Sequence, residues 1–169
     1  MDEVERRIEA FRGRATSSVV SKLDALLDLE RLGDPRVVPF LLEVLADRRE
    51  PTEVRIHVLK RLRDARLITG YRLPVAEAIL RVVSDRATLD LRLQAALALA
   101  EFTDSDGVVT TLGGLALDPA EPIDMRYSAF TSLQRAGPTT ECVLLLRQLL
   151  PEAARTSTCH RGAAGGYRA

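Results

Sequence analysis

Apolar side chains recur along this chain at helical spacing, and the same arrangement returns four times. In each copy a basic residue is followed by apolar residues three, four and seven positions later, and the seventh is always leucine. These offsets lie on one face of an α-helix. The pattern predicts four amphipathic helices, one per copy, with a buried leucine in each: Leu29, Leu62, Leu99 and Leu133.

The basic residues set the length of the repeat. They stand at positions 22, 55, 92 and 126, so neighbouring copies begin 33, 37 and 34 residues apart. Three copies open with an acidic residue, an apolar residue and an arginine; the acidic and basic members are Glu53 and Arg55, Asp90 and Arg92, and Asp124 and Arg126. A period of this length is typical of solenoids built from paired helices.

A second apolar segment follows each of these helices after a turn. Glycine, aspartate and proline occupy the turns, and these residues end one helix and begin the next. Pro39 falls in the first turn of its helix, where a missing N–H is tolerated. The second helices are predicted over 36–47, 73–85, 107–118 and 139–150. The fold class is therefore all-α.

The repeats resemble the HEAT-like repeat family, in the short bacterial form shared with phycobilisome lyases. The resemblance rests on the acidic-x-arginine start of the first helices, the Gly33-Asp34 turn and the Val-Val-Pro-Phe-Leu-Leu segment at 37–42, and it covers about residues 16–151. It implies a right-handed α-solenoid, an alpha-alpha superhelix of four helix pairs plus an N-terminal cap helix. It also implies that second helices line the concave, ligand-facing surface.

One domain is predicted over residues 1–151. Its cap helix, at 2–12, carries Val4, Ile8 and Phe11 on one face and would cover the apolar edge of the first pair. The repeats are placed at about 16–50, 51–86, 87–121 and 122–151.

The C-terminal end differs from the rest of the chain. Residues 152–169 have no periodicity and few large apolar residues, so a disordered tail is expected. The last pair would then lack a cap, and its open flank would allow self-association.

Composition narrows the class of protein. The 24 basic and 24 acidic residues give zero net charge, which argues against a dedicated nucleic-acid binder. Lysine occurs only at positions 22 and 60 and asparagine is absent, a bias typical of a GC-rich bacterial genome. No apolar run approaches the roughly 20 residues of a membrane span, and the acidic N-terminus does not suit a signal peptide. We expect a cytoplasmic protein without membrane contact.

Catalytic and metal-binding motifs are absent from the sequence. It has no Gly-x-Ser-x-Gly, His-Glu-x-x-His, Gly-Lys-Ser/Thr or Cys-x-x-Cys pattern. Cys159 and His160 lack further ligands for a metal site, and Cys142 is expected to pack as a small apolar residue. The segment Asp104-Ser105-Asp106-Gly107 lacks the later ligands of a calcium loop and is expected to cap a helix N-terminus. No catalytic residue, cofactor or metal is predicted.

The acidic-x-arginine triplets predict an architectural role. Their acidic members sit near helix N-termini, where the helix dipole favours negative charge. Their arginines recur one repeat apart, so neighbouring copies could join in a ladder of ion pairs. We call Glu53, Arg55, Asp90, Arg92, Asp124 and Arg126 the repeat ladder.

Two rows of residues on the second helices are the candidate partner-binding site. Alignment on the closing aspartates gives one row of Pro39, Glu77, Thr110 and Val143 and another of Glu43, Arg81, Gly114 and Arg147. The rows mix charged and small residues without an aromatic cage, which favours recognition of a protein surface. We predict a non-catalytic scaffold or adaptor that binds a protein partner, of unknown identity, on the concave face.

Two alternatives stay open. The family resemblance implies a subunit of a chromophore lyase or maturation complex. The basic patch of the second repeat would suit an acidic partner or an RNA backbone, although a solvated face is its ordinary explanation. The patch consists of Arg55, Lys60, Arg61, Arg63, Arg66 and Arg72.

Gly113 and Gly114 lie in the middle of a predicted second helix. Each costs about 0.5–1 kcal/mol relative to alanine. Tight helix packing or close approach of a ligand would offset that cost, and packing is the favoured explanation.

Overall fold

The computed structural model describes residues 2–13, 18–85 and 88–149. These ranges contain α-helices, two short 3-10 segments and no β-strand, so the all-α prediction is confirmed. The helices are α1 (Glu3–Arg12), α2 (Val19–Glu30), α3 (Val38–Ala46), α4 (Thr52–Arg61), α5 (Arg72–Ser84), α6 (Leu89–Ala98), α7 (Val108–Leu117), α8 (Ile123–Gln134) and α9 (Thr140–Leu149). The 3-10 segments are Pro35–Val37, before α3, and Leu99–Phe102, after α6. None of the described helices has the length and apolarity needed to cross a bilayer.

The helices pack in two neighbouring rows. In the first row α2 contacts α4, α4 contacts α6, and α6 contacts α8. In the second row α3, α5, α7 and α9 contact one another in the same succession. The rows meet where α3 packs on α4, α5 on α6 and α7 on α8, while α1 packs on α2. The first row consists of the predicted first helices, and the second row of the predicted second helices.

The apolar core lies between these rows. The four repeat leucines, Leu29, Leu62, Leu99 and Leu133, are each at most 1% exposed. The prediction that one face of each first helix is buried is therefore confirmed. Phe11 of α1 joins the same core and meets Phe40 of α3 edge to face, with 5.3 Å between ring centroids.

The turn before α7 differs from the prediction. The N-cap of α7 is Gly107, whose φ of 78° lies in the left-handed region that favours glycine, and no side chain caps the helix. Asp104 instead accepts a hydrogen bond from Arg72, which holds the pKa of that carboxyl below its usual value. The aspartate therefore contacts α5 rather than the backbone of α7.

The predicted tail at 152–169 lies outside the described residues, as do Cys159 and His160. The domain limits and repeat boundaries stay predictions.

The two glycines of α7 have different surroundings. A Cβ added at Gly113 would lie 2.4 Å from Cδ1 of Leu145, which belongs to α9. A Cβ added at Gly114 would meet nothing within 4 Å. Packing against α9 therefore accounts for Gly113, and nothing in the structure accounts for Gly114.

Alanine substitutions at these glycines should have opposite effects. Gly113→Ala should destabilise by about 1 kcal/mol, because an overpacking cost of about 1–3 kcal/mol exceeds the gain in helix propensity. Gly114→Ala should stabilise by about 0.5–1 kcal/mol. Urea unfolding of the two variants measures both changes. A gain in stability at both positions would contradict tight packing at Gly113.

Candidate functional site

The two predicted rows of partner-binding residues lie at exposed positions on the second helices. All eight residues are exposed, two on each of α3, α5, α7 and α9. Several contact one another or their neighbours. Arg81 donates from Nε to the Glu77 carbonyl oxygen at 3.3 Å, and Thr110 donates to the Glu141 carboxylate across α7 and α9. Such exposed contacts contribute little to stability, and 76% of the Arg81 side chain remains exposed.

A groove of about 520 Å³ opens between α3 and α5. Its volume lies in the range of ligand pockets, about 300–1,000 Å³. The walls are mainly apolar: Leu42, Leu45 and Ala46 from the α3 side, and Pro74, Ala78 and Val82 from α5. The polar and charged lining residues are Arg48, Arg55, Arg81, Ser84 and Asp85.

Arg55 is the buried cation of this groove. Only 7% of the residue is exposed, and Nε donates a hydrogen bond to the Leu45 carbonyl oxygen at 2.8 Å. Burial lowers the pKa of the Arg55 guanidinium. Asp85, another lining residue, pairs with Arg48 at 2.7 Å. Within the described residues no carboxylate forms an ion pair with Arg55.

The repeated arginines share a structural role that the sequence analysis missed. Arg92 Nε donates to the Val83 carbonyl oxygen at 2.9 Å, and Arg126 Nε donates to that of Ala116 at 3.2 Å. As with Arg55, the acceptor is the penultimate residue of the preceding second helix. The last carbonyl groups of a helix lack intrahelical partners. The arginine therefore satisfies one of them and joins each first helix to the repeat before it.

A glutamate accompanies this basic position in two repeats. Glu50 accepts a hydrogen bond from Lys22 Nζ at 2.6 Å. Glu121 accepts two from Arg92, at 2.6 and 3.0 Å, in a bidentate arrangement. The four side chains are largely buried, with exposures between 4% and 17%. The basic position in these repeats therefore has a neutralising carboxylate.

The second repeat lacks that glutamate. Glu50 and Glu121 immediately precede the N-cap residues of α4 and α8. The residue before Thr88, the N-cap of α6, is Ala87. Arg55 thus stands at the repeated basic position without the carboxylate that Lys22 and Arg92 have. Arg126 likewise forms no ion pair among the described residues.

The acidic and basic members of the repeat ladder do not form ion pairs with one another among the described residues. Glu53, Asp90 and Asp124 are exposed in the first turns of their helices, and in the described ranges none of them pairs with an arginine. The arginines two residues later turn inward, toward the preceding helix. The acidic and basic members of a triplet therefore face different surroundings.

The predicted basic patch is not one free surface. Arg55 is buried in the groove. Three other members have carboxylate partners: Arg61 with Asp64 at 3.4 Å, Arg63 with Glu101 at 3.3 Å, and Arg72 with Asp104. Lys60 and Arg66 are exposed and have no ion pair within the described ranges. The predicted basic patch therefore presents less unpaired positive charge at the surface than the sequence suggested.

Metal-ligating side chains do not cluster in the part of the chain that the structure describes. Cys142 is buried, as predicted, with Sγ 3.9 Å from the Leu133 carbonyl oxygen. His57 Nε2 lies 2.7 Å from Glu30 Oε1. The side chains of Cys142 and His57 are therefore both held by contacts within the fold.

Comparison with known proteins finds a family model that resembles one repeat of the chain. The family model described as PBS lyase HEAT-like repeat matches residues 22–47, which include most of α2 and all of α3. No curated protein and no solved structure matches the chain. The resemblance to HEAT-like repeats is therefore confirmed over the first helix pair.

Proposed function

We propose that this protein is a non-catalytic interaction module. It is a right-handed solenoid of HEAT-like helix pairs that binds a protein partner along the row of second helices. The succession of contacts from α3 to α9 supports a continuous binding face. The groove between α3 and α5 carries the proposal, because it combines apolar walls with arginine side chains. Apolar contact area together with arginine is typical of the energetically important centre of protein interfaces.

Charge reversal on this face tests the proposal. Arg81→Glu combined with Arg147→Glu should weaken partner binding about tenfold or more, because both side chains are exposed and opposite charge is repelled. The fold should not change, since the hydrogen bond and ion pair of the Arg81 side chain within the described residues are to Glu77 of its own helix. Affinity capture with the intact chain supplies the partner, and calorimetric titration measures the affinity.

Lys60→Glu with Arg66→Glu is the matched control. It also reverses two exposed cations, but neither residue lines the groove. Partner binding should stay unchanged. If the control variant alone loses its ligand, and the loss depends steeply on salt, the ligand is a nucleic acid and the proposal is wrong.

A lyase-associated role is the second candidate. The match to the PBS lyase HEAT-like repeat favours it. In that case the captured partner would be a catalytic subunit, and the charge-reversed variant would lower the activity of the complex. A partner without lyase activity would remove this candidate.

A further inference from the structure

The groove between α3 and α5 contains a buried guanidinium, that of Arg55, which forms no ion pair among the described residues and feels the charges of Asp85 and Asp47 only without direct contact. Only 7% of Arg55 is exposed, and arginine stays protonated in proteins. A buried charge without an ionic partner is unfavourable. Nε bonds to Leu45, whereas Nη1 and Nη2 have no hydrogen-bond partner among the described residues. Because Arg55 lines the groove, a ligand there can reach these donors.

The other repeats indicate which group fits beside this residue. Glu50 binds Lys22 and Glu121 binds Arg92, so the repeated basic position accepts a glutamate side chain twice. Glu50 also lines the groove between α1 and α3, the counterpart of this one in the preceding repeat. The position before α6 that corresponds to Glu50 and Glu121 is Ala87, whose side chain has no carboxylate.

We infer that the groove between α3 and α5 binds an acidic side chain of the protein partner, with its carboxylate on Arg55 and a neighbouring apolar side chain against the groove walls. The inference rests on the proposed interaction role. The ligand carboxylate takes the place that Glu121 takes on Arg92. The apolar neighbour contacts α3 and α5 through Leu42 and Val82.

The surrounding charges favour a carboxylate over a phosphate. Arg48 is paired with Asp85 at 2.7 Å, and Arg81 lies 3.8 Å from Glu77. These acidic groups reduce the positive potential at the rim and would repel a doubly charged phosphate more strongly than a single carboxylate. Arg55 is the arginine of the groove lining that has no ion pair among the described residues.

The probe is a tripeptide, leucyl-glutamyl-leucine, blocked at both ends so that glutamate carries its only charge. The Arg55 Nε–H resonance of the full chain should shift on titration up to roughly millimolar peptide and approach saturation. The matched glutamine peptide should leave that resonance in place. If both peptides act alike, or if neither shifts the resonance, the inference is wrong. A larger shift with inorganic phosphate than with the glutamate peptide would also overturn it.

Arg55→Met and Arg55→Lys separate binding from folding. Methionine has a similar length and no charge, so the variant should stay folded by circular dichroism while its affinity for the glutamate peptide falls about tenfold or more. Lysine should retain preference for the glutamate peptide over the glutamine peptide, because Lys22 occupies the same position beside Glu50. If Arg55→Met and the unchanged protein bind the glutamate peptide equally, Arg55 does not contribute to the peptide site.

A third variant introduces the missing carboxylate. Ala87→Glu should raise the melting temperature by a few degrees and block the peptide. If it leaves peptide affinity unchanged, the ligand does not occupy the glutamate position.

Failure of the inference is distinguishable from failure of the proposed function. If reversal of Arg81 and Arg147 weakens partner binding but Arg55→Met does not, the module stands and the carboxylate site is wrong. If the peptide binds through Arg55 but no protein partner is captured by the intact chain, the site stands and the proposed function is wrong.

Discussion

Truncation of Leu62 to alanine should lower the free energy of unfolding by about 2–5 kcal/mol, the range for a fully buried leucine. Leu62 directly follows α4, and its side chain is completely buried in the core. The substitution removes apolar contacts and leaves a cavity that the packed helices can fill only in part. Urea unfolding followed by circular dichroism measures the loss.

The control for this substitution is Leu73→Ala. Leu73 lies near the start of α5 with 60% of its surface exposed. Its truncation removes the same atoms from a site that is largely in water, so the change should stay below about 0.5 kcal/mol. Similar losses at the two sites, or a loss below about half a kcal/mol at Leu62, would contradict the buried register of the repeats.

Helical periodicity accounts for what the sequence predicted of the fold. The offsets of three, four and seven residues put Leu29 and Leu133 on one helix face, and this face is buried in each repeat. Leu67 and Ile68 are also buried, in the connection between α4 and α5, but no helical pattern marks them. Their burial depends on how that connection packs against the apolar core.

A local sequence signal marks the start of α1. Asp2 and Glu5 have the spacing of a capping box. Asp2 accepts a hydrogen bond from the Glu5 backbone N–H at 2.9 Å, and Glu5 accepts one from that of Asp2 at 2.9 Å. The Glu5 backbone N–H and then Arg36 lower the pKa of the Asp2 carboxyl. The start of α1 could therefore have been placed from two residues.

The candidate site was predictable in part. The exposure of Arg81 and its neighbours on the second helices followed from helical register. The burial of Arg55 did not, because its partner is a backbone carbonyl ten residues earlier, on another helix. A sequence does not show which arginine will turn inward to meet such a group. The Glu-Pro pairs at Glu50 and Glu121, and the alanine at 87, were the signal that could have distinguished the second repeat from the first and third.

Removal of the Glu121 carboxylate should leave Arg92 without an ion pair, as Arg55 is in the second repeat. Glu121→Ala should destabilise by about 1–3 kcal/mol, because two charge-assisted hydrogen bonds are lost and Arg92 remains largely buried. The side chains are 17% and 16% exposed, so water reaches the pair and the loss should fall short of the roughly 3–5 kcal/mol of a fully buried pair. Glu77→Ala is the surface control. It breaks the exposed pair with Arg81 and should cost less than about 0.5 kcal/mol.

Arg92→Met combined with Glu121→Met should recover part of that loss, since both charges leave the interior together. Thermal unfolding of Arg92→Met, Glu121→Met and the double variant gives the coupling between the two residues. If Glu121→Ala costs no more than Glu77→Ala, the carboxylate contributes nothing to the buried arginine. A ligand carboxylate on Arg55 would then contribute no binding free energy either. The preference of the groove between α3 and α5 for an acidic side chain would be contradicted.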